Sequence, residues 1–280
     1  MENQQLSLFE QLSQAEPTLT DEGIVRRLCE DLLDQSDVVP PMPVELLASM
    51  RGIARVERRQ QPWSGLLAPT RDGFVVGVRA LDGIERQRFT ILHEVGHTLL
   101  PGFADTNQYR CSGPKTREEQ LCDIAASELL LPRRFFVRDL LDATPGLEGV
   151  EALAKSYEAS IEATALRAVD LQRDAAMLLV FRVAHKPSER GHEDEYEPKL
   201  RMSWSHGRRG NWPYMRQHKS VSDGSPIKRA HEGELVDEVG TLGNLASTES
   251  GPVRISARRY GSDGRVLALL TPARTRGGST

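Results

Sequence analysis

The segment at residues 93–97, His-Glu-Val-Gly-His, constrains the fold of this 280-residue chain more than any other stretch. Around it, small and apolar residues recur at three- and four-residue steps and so predict a helix with one buried face: Phe89, Leu92, Val95, Gly96 and Leu99. Pro101 and Gly102 predict the end of that helix. Residues four apart lie on one face of a helix, about one turn apart. We therefore expect the imidazoles of His93 and His97 to lie close enough to share one metal ion.

The spacing of the two histidines is the H-E-x-x-H pattern, in which both imidazoles bind zinc and the glutamate acts as general base. Glu94 follows the first histidine directly, so it is predicted beside the metal and not on it. The same pattern also occurs in core helices without a metal, so the rest of the chain has to decide. Gly96 lowers helix propensity by about 1 kcal/mol relative to alanine, and its small size would admit a close neighbour.

A catalytic zinc commonly takes three protein ligands and leaves one position for water. After a predicted loop at residues 101–115, apolar spacing predicts a second helix from Thr116 that ends at Pro132. Glu119 and Asp123 lie four apart on this helix. We predict that Glu119 is the third ligand and that Asp123 holds a ligating imidazole. A metal-bound histidine usually donates its other ring N–H to a carboxylate or carbonyl.

Two neighbours on the second helix are alternatives. Glu118 points about 100° away from Glu119 and has Cys122, not a carboxylate, four residues further on. A thiolate binds zinc well, but Cys122 lies in an apolar helix and is more simply explained as a core residue. Tyr109, in the predicted loop, is a candidate donor to the oxyanion.

The two helices carry sequence blocks that resemble the ImmA/IrrE family of zinc metallopeptidases. The first block is Arg86-Gln87-Arg88-Phe89-Thr90, which precedes the motif at residues 93–97. The second follows Glu119 and Asp123 and ends in Glu128-Leu129-Leu130-Leu131-Pro132. The resemblance covers about residues 20–172. The family often has asparagine at the position of Asp123, and either side chain accepts a hydrogen bond from imidazole.

The resemblance implies an α+β fold: a zincin-like peptidase domain with a small sheet and the H-E-x-x-H helix, a helix-turn-helix segment, and a carboxy-terminal mixed α/β domain of GAF-like type. It implies one Zn²⁺ ion and an endopeptidase that cleaves a cognate helix-turn-helix repressor, which derepresses stress-response or mobile-element genes. The length is most similar to the IrrE-type stress-response proteases. In such a site the metal lowers the pKa of a water toward ~7, and Glu94 passes the water's proton to the leaving amine.

The domain boundaries follow from composition and turn signals. We predict a flexible tail at 1–17, the peptidase domain at 18–145, the helix-turn-helix segment at 146–174, a sensor-like or partner-binding domain at 175–271, and a tail at 272–280.

Local patterns predict the elements within these domains. Helices are expected at 21–33 and 44–50, and strands at 53–58, 63–68, 73–78, 176–184, 200–204, 253–260 and 265–271. Between the second and third of these strands, Arg71-Asp72-Gly73 predicts a hairpin turn. An exposed strand edge beside the zinc helix is hypothesised to bind an extended substrate by main-chain hydrogen bonds.

Charge is distributed unevenly along the chain. Residues 1–174 carry 19 Lys+Arg and 28 Asp+Glu, whereas residues 175–280 carry 17 and 12. Basic and aromatic residues interleave in the second part and fit a nucleic acid, a ligand or a protein surface: Arg208, Arg209, Arg216, Lys219, Lys228 and Arg229, beside Trp204, Trp212 and Tyr214.

A second hypothesis is therefore a DNA-binding transcriptional regulator with a structural zinc site. The second helix of the helix-turn-helix segment argues against it, because Arg167 is opposed by Glu162 and Asp170 and the helix is nearly neutral. A recognition helix presents several donors and a basic flank. We expect this segment to have a structural or repressor-docking role and expect no direct DNA binding.

The sequence also predicts a compartment. Cys29, Cys111 and Cys122 are few, odd in number and widely spaced, so they imply no disulfide framework. Residues 1–17 are polar and acidic, unlike a secretory signal of the usual kind. Since no run approaches 18 apolar residues, we expect a cytoplasmic protein without a membrane partner.

Overall fold

The computed structural model describes residues 6–103, 108–109, 116–208, 210, 212–247 and 251–273. Its contacts divide the chain into two compact units. The first unit comprises Met1–Arg138 and Ala154–Ser160, and the second comprises Asp139–Leu153 and Ile161–Thr280. The mixture of helices with two separate sheets confirms the predicted α+β class. The predicted domain boundaries, the helix-turn-helix assignment and the GAF-like assignment stay predictions.

The elements in chain order are as follows. The helices are α1 Leu8–Ala15, α2 Asp21–Ser36, α3 Val44–Met50, α4 Ile84–His97, α5 Arg117–Leu130, α6 Arg133–Asp142, α7 Leu147–Tyr157, α8 Ile161–Leu171 and α9 Pro226–His231. The strands are β1 Ile53–Arg59, β2 Gly65–Thr70, β3 Gly73–Arg79, β4 Gln108–Tyr109, β5 Ala176–Ala184, β6 Lys199–Arg208, β7 Val236–Gly240, β8 Val253–Tyr260 and β9 Arg265–Pro272.

The sheet of the first unit has the order β1-β3-β2-β4. Strands β2 and β3 form the antiparallel hairpin that the turn at Arg71-Asp72 predicts. Strand β1 pairs with β3 in parallel and not with its sequence neighbour β2, so β2 lies on the other side of β3. Among the described residues, the outer side of β2 pairs with β4 at Leu66 and Leu67.

Helix α4 is the central helix of the first unit and packs against α3, α5, β2 and β3. Its close contact with α5 depends on Gly96, as its small size indicated. A Cβ atom at Gly96 would lie 2.9 Å from the Cα of Cys122 and 3.1 Å from the Cβ of Ala125. Cys122 is fully buried at this crossing, which fits its expected place in the core.

Helix α1 lies within the segment that the sequence indicated as a tail. It begins with a capping box: the Ser7 hydroxyl accepts from the Glu10 N–H (3.2 Å), and the Glu10 carboxylate accepts from the Ser7 N–H (2.7 Å). None of its residues is buried. The helix therefore owes its start to local capping within residues 7–10, a signal that the tail prediction did not use.

The second unit contains an antiparallel sheet with the order β6-β5-β9-β8-β7. Leu179, Ile255 and Leu270 belong to the hydrophobic core on one face of this sheet, together with Ile227 of α9. A cavity of about 280 Å³ lies above these four side chains, and the segments 221–227 and 241–245 form its remaining walls.

None of the described helices is both long enough and apolar enough to cross a bilayer.

Candidate metal centre

Helix α4 holds the three residues of the predicted motif in the interior of the first unit. His93, Glu94 and His97 are 0%, 1% and 3% exposed, respectively. The rings of His93 and His97 have centroids 5.2 Å apart and are inclined by 75°. Burying three ionisable side chains together is costly unless they are paired or bind a metal. Their position therefore indicates a functional cluster.

Helix α5 adds a carboxylate to the two imidazoles. It begins at the cap Thr116, whose hydroxyl accepts from the Glu119 N–H at 3.2 Å. Glu119 lies in the first turn, where the helix dipole favours negative charge. Its Oε2 atom is 3.2 Å from Nε2 of His93, and its Oε1 atom is 3.6 Å from Nε2 of His97. The structure thus brings Glu119 to both histidines.

Asp123 lies one turn further along α5, on the far side of His93. Its Oδ1 atom is 3.0 Å from Nδ1 of His93. When Nδ1–H donates this hydrogen bond, Nε2 carries the lone pair and faces Glu119. This is the arrangement by which proteins fix the tautomer of a metal-bound histidine.

The separations between these atoms fit a shared metal ion. Two ligands held tetrahedrally at about 2.0–2.1 Å from zinc lie about 3.3 Å apart. The contacts from the Glu119 oxygens to the two imidazole nitrogens, at 3.2 and 3.6 Å, are close to this value. The donor set of two imidazoles and one carboxylate is also one that zinc accepts in open sites.

Cys122 offers a second way to complete the donor set. The Sγ atom of Cys122 and ring nitrogens of His93 and His97 all lie within 4.8 Å of one another. Burial, followed by the charges of Glu119 and Glu94, raises the pKa of the Cys122 thiol far above its ordinary value. The metal-free chain therefore holds a neutral thiol there. We favour Glu119, because its carboxylate directly contacts both Nε2 atoms.

Two other residues, Glu118 and Tyr109, were also considered from the sequence. Glu118 is exposed at the start of α5, away from the buried cluster. The backbone of Tyr109 in β4 pairs with Leu66 of β2, but the side chain of Tyr109 lies outside the described residues. Its role as an oxyanion donor stays a prediction.

Three further residues make long-range contacts in the first unit that the sequence patterns did not indicate. Arg88 of α4 is nearly buried and donates to the carbonyl oxygens of Met42 (2.8 Å) and Glu158 (3.1 Å). Glu128 of α5 pairs with Arg26 of α2 at 3.0 Å. Gly65 of β2 lies directly against Glu94. Each contact joins residues far apart in the chain, so no local pattern could have indicated it.

A helix that buries two histidines and a glutamate, beside a mixed sheet and a second helix with carboxylates, is typical of a metallopeptidase domain. Residues 51–169 match the model of the M78 peptidases, described as the IrrE N-terminal-like domain. Over these residues the match confirms the resemblance to the ImmA/IrrE family that was seen in the sequence.

One curated relative is the radiation response metalloprotease IrrE of Deinococcus radiodurans. It is 29% identical over an alignment of 146 residues, and the match covers 49% of this chain and 44% of the relative. The match therefore spans less than half the length of that protein.

Among solved structures, a Mycobacterium tuberculosis transcriptional regulator has a similar fold, with a TM-score of 0.59. The similarity covers 95% of this chain and 80% of that chain. At 13% sequence identity, this similarity concerns the fold alone.

Proposed function

We propose that the protein is a zinc-dependent endopeptidase of the H-E-x-x-H…E-x-x-x-D type. In this proposal one zinc ion is held by His93, His97 and Glu119, and Glu94 is the general base. The observation that carries it is the contact of one carboxylate, Glu119, with the Nε2 atoms of both histidines. The hydrogen bond from His93 to Asp123 supports it further.

The zinc ion, when bound, supplies Lewis acidity that lowers the pKa of a water toward ~7 and polarises a carbonyl group. The protein supplies the proton transfers. Glu94 is buried beside the histidines and takes a proton from the attacking water, then delivers it to the leaving amine. Asp123 keeps the proton of His93 on Nδ1, so that Nε2 stays available.

Gly65 of β2 lies directly against Glu94, so an extended polypeptide bound beside this end of the strand would lie next to the proposed base. Among the described residues, β4 already pairs with the outer side of β2 at Leu66 and Leu67.

We propose a helix-turn-helix repressor as the substrate, since the family resemblance implies it. Cleavage would then derepress stress-response or mobile-element genes. The word "radiation response" in the name of the Deinococcus relative supports a stress role. The cavity of about 280 Å³ in the second unit supports a sensor-like or partner-binding role for the carboxy-terminal part.

The alternative function is a DNA-binding transcriptional regulator with a structural zinc site. The name of the Mycobacterium tuberculosis protein is the observation that favours it. Two features of α8 oppose it. Arg167 is only 5% exposed, and Asp170 already contacts His206 (2.9 Å) and Arg208 (3.6 Å). Helix α8 therefore offers few free cations to a phosphate backbone.

The test is to incubate the zinc-loaded protein with the helix-turn-helix repressors of its own genome and to search for one specific cut by mass spectrometry. We expect cleavage by the wild-type protein and by Glu118→Gln, a control for an exposed neighbouring carboxylate. Glu94→Gln should bind zinc but not cleave. Cleavage by Glu94→Gln at the wild-type rate would exclude Glu94 as the general base. Salt-dependent DNA binding without any cut would favour the alternative.

A further inference from the structure

Gly65 of strand β2 lies at the closest approach between the sheet and Glu94. A Cβ atom built on Gly65 would overlap the Oε1 atom of Glu94. It would also lie 2.6 Å from Cγ2 of Thr90 and 3.2 Å from Cδ of Glu94. Real Cβ atoms essentially never come within 3.0 Å of another heavy atom in this way. Any side chain at position 65 therefore requires Glu94, Thr90 or the strand to move.

The surroundings limit which of these groups can move. Thr90 is fully buried, and its β-branched side chain is stiff about χ1. Glu94 is almost fully buried, so its carboxylate has no open solvent to turn into. Strand β2 is paired with β3 along its whole length, from Gly65 opposite Val78 to Thr70 opposite Gly73. The Glu94 carboxylate is the end of a flexible side chain and is the group that yields first.

We infer that Gly65 is a positioning residue: its lack of a side chain allows the Glu94 carboxylate to lie against strand β2 beside the two histidines. This inference rests on the proposed role of Glu94 as general base. Gly65 itself touches neither metal nor substrate through a side chain. It acts through Glu94, because a base has to lie within hydrogen-bonding reach of the proton that it removes.

A purely structural role for Gly65 is the competing explanation, since a small residue also lets a strand pack close to a helix. The two explanations differ in what Glu94 contributes. If Gly65 acts through Glu94, a Cβ at position 65 is harmful mainly while the Glu94 carboxylate is present. If Gly65 serves only the packing of β2 on α4, the harm persists when Glu94 is truncated.

A double-mutant cycle on the full-length chain separates these explanations without a substrate. The variants are Gly65→Ala, Glu94→Ala and the double variant, all made in a Thr90→Ser background that removes the Cγ2 contact, and they are compared by thermal unfolding with the Thr90→Ser protein. We expect Gly65→Ala to lower the unfolding midpoint by roughly 5 °C, as overpacking does. In the Glu94→Ala background the same substitution should have less than half of that effect. If Gly65→Ala fails to fold, a folded double variant supports the inference and an unfolded one overturns it.

Gly77→Ala is the matched control for a glycine in the same sheet. Gly77 pairs with Leu66, and the atoms nearest to its Cβ would belong to the side chains of Gln61 and Arg59, at 3.3 Å or more. We expect Gly77→Ala to show the same small change with and without Glu94. If the effect of Gly77→Ala depended on Glu94 as strongly as the effect of Gly65→Ala does, the cycle would report general destabilisation, and the inference would be overturned.

A second readout uses the repressor that the wild-type protein cleaves. Gly65→Ala should lower kcat by roughly 10²-fold or more, which is the low end of the range for loss of a general base. KM should change by less than about threefold. Titrated Zn²⁺ should bind to the variant as tightly as to the wild-type protein. A fall in zinc affinity equal to the fall in kcat would overturn the inference. Should no repressor be cleaved by the wild-type protein, the proposed function fails, while the unfolding cycle still decides whether Gly65 positions Glu94.

Discussion

The contact between α4 and α5 predicts the effect of replacing Gly96 by alanine. Alanine raises helix propensity by about 1 kcal/mol relative to glycine, whereas overpacking a core costs about 1–3 kcal/mol. The nearest atom to the new Cβ is the Cα of Cys122, at 2.9 Å. Because that atom is backbone, the helices have to separate. We therefore expect net destabilisation of roughly 0–2 kcal/mol, the difference between the two contributions.

The larger effect of Gly96→Ala should be on metal binding. The Cβ has to retreat from 2.9 Å to at least 3.4 Å, where ordinary van der Waals contact begins. That separation moves the helix with His93 and His97 away from the helix with Glu119 and Asp123. We expect zinc affinity to fall by roughly 10- to 100-fold, the range seen when the support of a ligand is disturbed.

The assay is a competition titration of Zn²⁺ against a chromophoric chelator, combined with thermal unfolding of the metal-free protein. Gly251→Ala is the control, since a Cβ there would have no neighbour within 4 Å. Cys122→Ala should not rescue Gly96→Ala, because it leaves the Cα atom in place. A Gly96→Ala protein that is more stable than wild type and binds zinc equally well would refute this account of the helix contact.

Three further changes give sharp outcomes. Glu94→Gln should retain zinc, measured by elemental analysis, and lose roughly 10²–10⁴-fold in cleavage rate; an unchanged rate would exclude Glu94 as the base. Asp123→Ala should lower zinc affinity by about 10- to 100-fold in the same chelator titration, and Asp123→Asn should lower it far less, since an amide oxygen still accepts from His93; equal losses would contradict this. The hydrogen bond to Asp170 raises the pKa of His206 above 6.5. Burial alone would raise the pKa of Asp170, but the hydrogen bond and the positive charge of His206 outweigh burial and lower this pKa below 3.8. The pair therefore stabilises the fold between these limits, and its contribution is lost as pH rises through the raised pKa of His206 or falls through the lowered pKa of Asp170. As pH rises from below 6.5 to well above it, the denaturant midpoint of the wild-type protein should fall relative to that of His206→Gln. Parallel plots of midpoint against pH for the two proteins would show that the pair has no such role.

The local part of the site could be predicted from the sequence. His93 and His97 share a face because of their spacing, and a helical period continues around them. Glu119 and Asp123 repeat that spacing on α5, and Thr116 marks its start as a cap. These features depend on residues within one or two helical turns, where helix geometry fixes which side chains meet.

The tertiary contacts could not be predicted in this way. Local patterns predict β1 and the β2–β3 hairpin, but not that β1 pairs with β3 in parallel. The burial of Arg167 also depends on the packing around α8 and not on its own segment. The fit of Gly65 against Glu94 requires a strand and a helix that are separated by β3 in the sequence. A single sequence does not state which distant segments meet.

In the proposed metal centre, the ligands come from segments at different distances along the chain. The pair His93 and His97 exists as soon as one turn of α4 has formed. Glu119 comes from a separate helix, and the intervening connection must close at an entropic cost that grows with the logarithm of its length. We expect the centre to be completed in a local step followed by a long-range step. The rate of metal uptake during refolding would then report the rate at which α5 docks onto α4.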